Sequence, residues 1–307
     1  MNKTTIYCET TAPVFMAGAD QRKPELRAAS IKGTMRFIWR AVQRAEDMIK
    51  LRECEGKLFG NAFGGKDTKA SDMRIRIEAD ENIEYFKCDN AMLPHRKLPE
   101  YEGRDKDKGR VLPQKSIDTG YRFSVVISSF GDENRHTDYV RLFVLTCLLY
   151  GFGRRSRKGF GTVMVTEIKG IGENIIDFLI DGMPDNLNAL SKFGAVYSFA
   201  NDDRTEITVT GGGGEKYPYI ENIRIAGTKD DSKTDFFIEQ IGMSVHNFSN
   251  SKTFLGDSRN RFASSILLST TPWNSDSFCC IVTQLYCTKI FDEKERDRFH
   301  GEIDRRV

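Results

Sequence analysis

Residues 27–44 constrain the fold most, because this one segment carries two different periodicities. Its apolar residues recur at steps of three and four, which is typical of a helix with one buried face. Its basic residues recur at steps of four and form a second stripe on another side of the same helix. The segment predicts a helix that runs to about Leu51, with Ser30 as its N-terminal cap. The predicted stripe of cations comprises Lys32, Arg36, Arg40 and Arg44. A cation stripe alone is more often a solvated face than a binding site, so the question is whether other cations converge on it.

Composition limits the classes of function. The chain has 307 residues, of which 39% are hydrophobic, and a formal net charge of +2. These values suggest two globular domains, and any nucleic-acid binding must come from local clusters of charge. No apolar run approaches the roughly 20 residues that span a bilayer. The seven cysteines form no C-x-x-C pair, which favours reduced cysteines in a cytoplasmic protein. The four histidines are far apart, so we expect no metal site and no cofactor.

The order of predicted elements indicates an α+β fold. Strands are expected at 3–10, 74–79, 121–128 and 162–168, with one helix from the Ser30 cap to about Leu51 and another at 137–150. The order strand, helix, strand, strand, helix, strand is the ferredoxin-like βαββαβ (RRM-like) arrangement. We expect tandem domains of this class at 1–170 and 171–307, the second one irregular. Residues 87–119 are charged and show no period, which predicts a long loop that is disordered without a partner.

The segment 151–161, G-F-G-R-R-S-R-K-G-F-G, is the second distinctive feature. Four cations occupy five positions, and like charges repel one another unless an anion is present. The segment therefore predicts contact with phosphate rather than a simple linker. It lacks the G-K-[ST] end of a Walker loop and follows a helix, which disfavours a dinucleotide site. Phe152 and Phe160 either stack on bases or anchor the loop to the core. By contrast, the glycine run 211–214 predicts a flexible turn.

Several segments together carry a family resemblance. They are P-V-F-M-A-G-A-D at 13–20, P-E-L-R-A-A-S-I-K-G-T-M-R-F-I-W-R-A at 24–41, L-F-G at 58–60, the loop at 151–161 and R-F-A-S-S-I at 261–266. This set resembles the RAMP proteins of CRISPR defence, and most closely the first-numbered RAMP subunit of the type III-B Cmr effector complex. Ser265 departs from the family pattern, which usually has proline there.

The resemblance implies a non-catalytic, RNA-binding subunit of a ribonucleoprotein. Its expected partners are a guide RNA (crRNA), a complementary target RNA, and other RAMP and polymerase-like subunits, with no membrane. The subunit type helps hold the guide–target duplex toward the 3′ end of the guide. In this family, target cleavage and cyclic-nucleotide synthesis are attributed to other subunits.

The residues and the resemblance together predict a set of RNA contacts. They are Arg27, Lys32, Arg36, Arg40, Gly151, Phe152, Gly153, Arg154, Arg155, Ser156, Arg157, Lys158, Gly159, Arg259 and Arg261. The alternative is a stand-alone, metal-independent RAMP endoribonuclease that processes guide RNA, with His95, His136 or Asp20 as its candidate catalytic groups. A general RNA chaperone outside CRISPR is a third option.

Overall fold

The structure is a computed structural model that describes most of the chain. The described residues are 1–20, 23–61, 69–79, 85–87, 115–171, 176–229, 234–248, 254–255, 263–273, 277–287 and 293–306. Most of the predicted loop at 87–119 lies outside them, as do Arg259 and Arg261.

The first half of the chain builds a four-stranded antiparallel sheet with helices on one face. Its elements are β1 (Asn2–Thr10), α1 (Ala28–Val42), α2 (Met48–Phe59), β2 (Gly60–Asn61), β3 (Lys69–Ala70), β4 (Met73–Ala79), β5 (Tyr85–Lys87), β6 (Lys115–Ile117), β7 (Arg122–Ser129), α3 (Glu133–Leu149) and β8 (Val163–Lys169). The sheet has the order β4-β7-β1-β8, while β2 pairs with β3 and β5 with β6 in separate two-stranded ribbons.

The second half builds a five-stranded antiparallel sheet with the order β12-β13-β11-β10-β9. Its elements are α4 (Met183–Leu190), β9 (Ala195–Phe199), β10 (Glu206–Gly211), β11 (Ile220–Lys229), α5 (Thr234–Asn247), β12 (Ile266–Pro272), β13 (Phe278–Leu285) and α6 (Glu293–Arg306). The order β12-β13-β11 matches β4-β7-β1 of the first sheet. The next position, however, holds β10, which precedes β11 in the chain. The mixed α+β class with antiparallel sheets is confirmed, but the second half does not repeat the element order of the first.

Helix α3 is the layer that joins the two sheets. Of its 17 residues, 12 are buried, as expected of a helix that is covered on all sides. One hydrophobic cluster runs from the helix-covered face of the first sheet through α3 to Leu267 of β12. Its neighbour Leu268 points the other way and packs with Phe237 of α5 and Phe299 of α6. The division at residue 170 stays a prediction, and the hydrophobic core crosses it.

The predicted single helix to Leu51 is wrong, because the chain leaves the helix at Gln43. The Tyr217 hydroxyl donates to the Gln43 carbonyl at 2.5 Å and accepts from the Ala45 amide at 3.1 Å. Asp47 then caps α2 by accepting from two amides of its first turn. Contacts with the second half of the chain therefore override the helical periodicity at this point.

The glycine run 211–214 packs against the same break rather than forming a free turn. A Cβ on Gly212 would lie 2.9 Å from the Arg44 carbonyl oxygen, and one on Gly214 would collide with that of Ala45. At the start of α1, Ser30 lies inside the first turn and Arg27 occupies the N-cap position, so the predicted serine cap is also wrong.

Replacing Tyr217 by phenylalanine tests the origin of the helix break. The change leaves a buried carbonyl and a buried amide without their partner, so we expect a loss of about 1–3 kcal/mol in the free energy of unfolding. Chemical denaturation measures this loss. Tyr286→Phe is the control, because its hydroxyl bonds Glu215 at an exposed position. Equal stability of the two variants would contradict the assignment.

Candidate nucleic-acid interface

The glycine-rich loop 151–161 lies at the junction of the two halves. The Gly159 amide donates to the Leu268 carbonyl of β12 at 3.0 Å, and the Gly161 amide donates to the Pro13 carbonyl at 3.0 Å. Directly after the loop, the Thr162 hydroxyl lies 2.8 Å from that of Thr11 and 2.9 Å from that of Thr270. The loop is therefore packed between elements of both halves.

Two of the loop's glycines are required by close backbone approach. The Phe152 amide donates to the Gly161 carbonyl at 2.7 Å, and a Cβ on Gly161 would collide with the Phe152 carbonyl. Gly153 has φ +90°, and a Cβ there would lie 2.5 Å from the Phe15 carbonyl oxygen. These glycines serve packing within the protein, not an open cradle for a phosphate.

Both phenylalanines of the loop are anchors. Phe152 is 0% exposed and stacks on Phe143 at 6.2 Å, whereas Phe160 is 2% exposed and lies 5.4 Å from the Phe15 ring. Neither presents a face on which a base could stack. Gly151, Phe152, Ser156 and Gly159 are all buried. We therefore correct the predicted set of RNA contacts by removing these four residues.

The four cations of the loop have different surroundings. Arg154 and Arg155 are exposed. Arg157 is half-buried, with its guanidinium 5.0 Å from the centre of the Phe37 ring on α1, and it donates to the Ser264 carbonyl. Burial lowers the pKa of Lys158, and the neighbouring charge of Arg155 adds to this effect. Of the four, only Arg154 and Arg155 are exposed at the protein surface.

The cation stripe on α1 is tied down along its length. Lys32 donates to the Met73 carbonyl at 3.1 Å, and burial lowers the pKa of its amino group. Arg36 and Arg40 both form ion pairs with Glu55 of α2. Their own side chains stay 42% and 44% exposed.

The fourth cation of the stripe, Arg44, turns toward the second half. It donates to the Gly211 carbonyl at 3.0 Å, and its guanidinium lies 5.0 Å from the centre of the Tyr219 ring. Arg44 is thus a link between the two halves rather than part of the exposed stripe.

Loop and helix meet at two points. The Arg27 amide donates to the sulfur of Met16 at 3.1 Å, while the Arg154 amide donates to the adjacent Phe15 carbonyl at 2.8 Å. Further along α1, the guanidinium of Arg157 lies over the Phe37 ring. These contacts place the loop 151–161 beside α1 and its N-cap residue. We call this set the basic surface: Arg27, Arg36, Arg40, Arg154 and Arg155.

The family is decided by comparison with known sequences. The sequence model of the RAMP superfamily matches residues 7–164, about half of the chain. The chain belongs to the RAMP superfamily. The matched region contains the end of β1, all of α1 and α3, and the loop 151–161, so it includes the whole basic surface.

Three relatives specify the likeness within the RAMP superfamily. The chain is 29% identical over 178 residues to the CRISPR system Cmr subunit Cmr1-2 of Pyrococcus furiosus, covering 52% of this chain and 94% of that protein. The apo crystal structure of Cmr1 from P. furiosus matches with a TM-score of 0.62 at 16% identity, over 100% of this chain and 97% of that one. A chain in the cryo-EM structure of the type III-B Cmr-beta complex bound to cognate target RNA matches with a TM-score of 0.58 at 12% identity, over 98% of each chain. These findings confirm the resemblance to Cmr1, and the two structural matches show a shared fold.

Sequence reasoning missed three residues that shape this surface: Met16, Phe37 and Glu55. Glu55 had a detectable signal, because it lies four residues from Leu51 and four from Phe59, on the apolar side of α2. An acidic residue at such a position calls for cationic partners, and the stripe on α1 supplies them. Nothing in the local sequence distinguishes Met16 or Phe37 from ordinary core residues.

Ser265, which departs from the family pattern, uses an amide that proline lacks. The Ser265 amide donates to the Phe254 carbonyl at 2.8 Å. The following strand, β12, pairs regularly with β13 from Ile266 onward. The departure therefore leaves the strand geometry intact.

The candidate catalytic groups are unevenly described. His95 lies outside the described residues, and Asp20 is exposed. His136 is buried, with one ring nitrogen 2.9 Å from the Thr4 hydroxyl and the other 2.9 Å from that of Ser129. Its two hydroxyl partners indicate a role in the core. Among the described residues, no group of three or more His, Cys, Asp and Glu side chains could hold a metal ion. None of the helices in that part of the chain is long and apolar enough to cross a membrane.

The structural role of His136 predicts a pH dependence of stability. Burial lowers its pKa below the ordinary 6.5, so below that pH the unfolded chain binds a proton that the folded protein refuses. Stability should be full above about pH 6.5 and fall as the pH drops toward the lowered pKa. His300, whose pKa burial lowers to about 4, acts in the same direction. Unfolding experiments from pH 7.5 to 5 should show a weaker slope for His136→Gln than for the wild type, and equal slopes would refute the assignment.

Proposed function

We propose that the chain is a non-catalytic RNA-binding subunit of a type III-B CRISPR (Cmr) ribonucleoprotein in antiviral defence. In this role it holds the duplex of guide and target RNA toward the 3′ end of the guide. Its partners are then the guide RNA, the complementary target RNA, and other RAMP and polymerase-like subunits. Support comes from the Cmr1 relatives and from the Cmr-beta complex, whose structure contains target RNA.

The observation that carries the proposal is the convergence of the basic surface. The total net charge is only +2, yet five exposed or half-exposed arginines belong to α1, its N-cap position and the loop 151–161, and this loop contacts α1 through Arg157 and Phe37. Arginine guanidiniums form paired hydrogen bonds with phosphate oxygens. Contacts to phosphate fix the position of a nucleic acid without reading its sequence. Such a surface suits a subunit that must hold any guide sequence.

The start of α1 adds to this surface. Helix α1, which the structure describes in full, has no acidic residue in its first turn and no side-chain cap at Arg27. The partial positive charge of a helix N-terminus therefore stays available beside Arg27. An anionic backbone that follows the basic surface would pass this end of the helix.

The endoribonuclease alternative is less well supported by the geometry. A general base must come within hydrogen-bonding reach of the substrate proton, and His136 is buried between two hydroxyls. Incubating the purified chain with labelled single-stranded RNA separates the two functions. Cleavage by the isolated chain that disappears in Asp20→Ala or His95→Ala would overturn the non-catalytic proposal.

We also infer the evolutionary class of each half. The first sheet with α1 and α3 is a ferredoxin-like unit in its element order. The second sheet is a rearranged form of such a unit, in which β10 occupies the place of a final strand. Support for this comes from the strand orders of the two sheets.

The double variant Arg154→Ala/Arg155→Ala tests RNA binding by the loop. Both side chains are exposed, so the fold should persist while two phosphate contacts are lost. For single-stranded RNA, the slope of log K against log salt should fall in magnitude by about 1.4, because each lost phosphate contact contributes about 0.7. Fluorescence anisotropy over a salt titration measures this slope.

The matched control is Arg204→Ala/Arg298→Ala, which removes the same charge from exposed positions outside the basic surface. Its slope should equal that of the wild type. If both double variants changed the slope equally, RNA binding would depend on net charge alone. That result would contradict the proposal that RNA binds at the basic surface.

A further inference from the structure

The two ion pairs between α1 and α2 join residues that differ greatly in solvent exposure. The Glu55 side chain is 2% exposed, whereas its two partners, Arg36 and Arg40, are 42% and 44% exposed. One carboxylate is thus buried beneath two cations that remain partly at the surface. The group as a whole leaves one uncompensated positive charge at the protein surface.

Stability alone does not explain a carboxylate at this position. Glu55 lies on the buried side of α2 together with Leu51, Gly56 and Phe59. Burying a carboxylate is costly, and replacing buried ion pairs by apolar residues is often neutral or stabilising. A leucine would fit the periodicity of the helix equally well. The acidic residue therefore needs a reason beyond packing.

The hydrogen bonds show what the carboxylate does to its partners. One oxygen of Glu55 accepts from Nε of Arg36. The other accepts from Nε of Arg40 at 3.1 Å and from one terminal nitrogen of the same guanidinium. A guanidinium has five N–H donors, so both groups keep donors that Glu55 does not use. Glu55 thus holds two guanidiniums, one helical turn apart, while leaving each able to bind a further acceptor.

We propose that Glu55 is a positioning residue that holds Arg36 and Arg40 in the arrangement that binds the RNA backbone. This inference rests on the proposed RNA-binding function. A free arginine side chain loses much rotational freedom when it binds a phosphate. Arginines that an ion pair already holds in position lose less rotational freedom on binding, so they bind a phosphate more tightly than free arginines of the same charge.

The proposal and simple electrostatics predict opposite signs for Glu55→Gln. The change removes a negative charge next to the binding surface, so attraction between charges alone would strengthen RNA binding. Loss of positioning should instead weaken it, by roughly three- to tenfold in Kd. Fluorescence anisotropy with single-stranded RNA at fixed salt measures the change, with Kd referred to the folded fraction determined by circular dichroism.

Glu53→Gln is the matched control. It makes the same change of charge on the same helix, at an exposed position two residues away. Its RNA affinity should equal or slightly exceed that of the wild type. Weaker binding by Glu55→Gln together with unchanged binding by Glu53→Gln supports positioning.

A second variant covers the case in which Glu55→Gln fails to fold. Glu55→Asp keeps the charge but shortens the side chain, so it should also weaken RNA binding while net charge is unchanged. Wild-type affinity in a folded Glu55→Asp or Glu55→Gln variant, or tighter binding, would overturn the proposal.

The double variant Arg36→Ala/Arg40→Ala separates failure of this inference from failure of the proposed function. If it binds RNA as the wild type does, the α1 stripe does not contact RNA and the proposed function loses that part of its surface. If it binds more weakly while Glu55→Gln does not, the RNA-binding function stands and the positioning role is wrong. If the positioning role is right, adding Glu55→Gln to the double variant should not weaken RNA binding further, because no arginine remains to be positioned.

Discussion

Burial of α3 between the two sheets is the constraint on which the rest of the structure depends. A helix that is covered on both sides must be apolar around most of its circumference, and α3 is. Both sheets pack on this one helix, so the two halves share a single hydrophobic cluster. The segment that leaves the end of α3 must then pass through the junction between the halves. That segment is the glycine-rich loop.

The loop shows how one sequence can serve two purposes. Its glycines and phenylalanines fix the backbone: Gly161 permits close approach to Phe152, and both aromatic rings are buried. Its exposed cations, Arg154 and Arg155, project from that fixed backbone. A loop held this firmly presents charge at defined positions. Because it also bonds to Leu268 of β12, its position depends on both halves being folded together.

Much of this fold could be predicted from local sequence, and the failures share a cause. The strands of the first sheet and the apolar faces of α1 and α3 follow from local periodicity and composition. The break at Gln43 does not, because it is made by Tyr217, more than 170 residues away in the chain. The strands β9 and β11 of the second half are stabilised by pairing with strands distant in the sequence or by tertiary packing, which local patterns do not reveal.

The candidate site was predictable in its charges but not in its geometry. The sequence shows which residues are basic but not their surroundings. Lys158 is partly buried whereas Arg155 is exposed. Arg36 pairs with Glu55 of α2, whereas Arg44 donates to the Gly211 carbonyl of the second half. The equal alternatives for Phe152 and Phe160 could be decided only by tertiary contacts, with Phe143 and Phe15. Proximity in the sequence therefore overstated how many loop residues are exposed at the surface.

The distribution of held and exposed cations has a consequence for specificity. A protein with a net charge of +2 cannot rely on long-range attraction to select RNA from other polyanions. Under the proposed function, selection would come from the spacing of the arginines that bind phosphate. Arg36 and Arg40 are fixed by Glu55, and the backbone of Arg154 is fixed by Phe15. Guanidinium groups at fixed positions fit a nucleic-acid backbone with regularly spaced phosphates better than one with irregular spacing. For the proposed function, in which guides of any sequence are bound, the fixed positions of the arginines therefore matter more than their number.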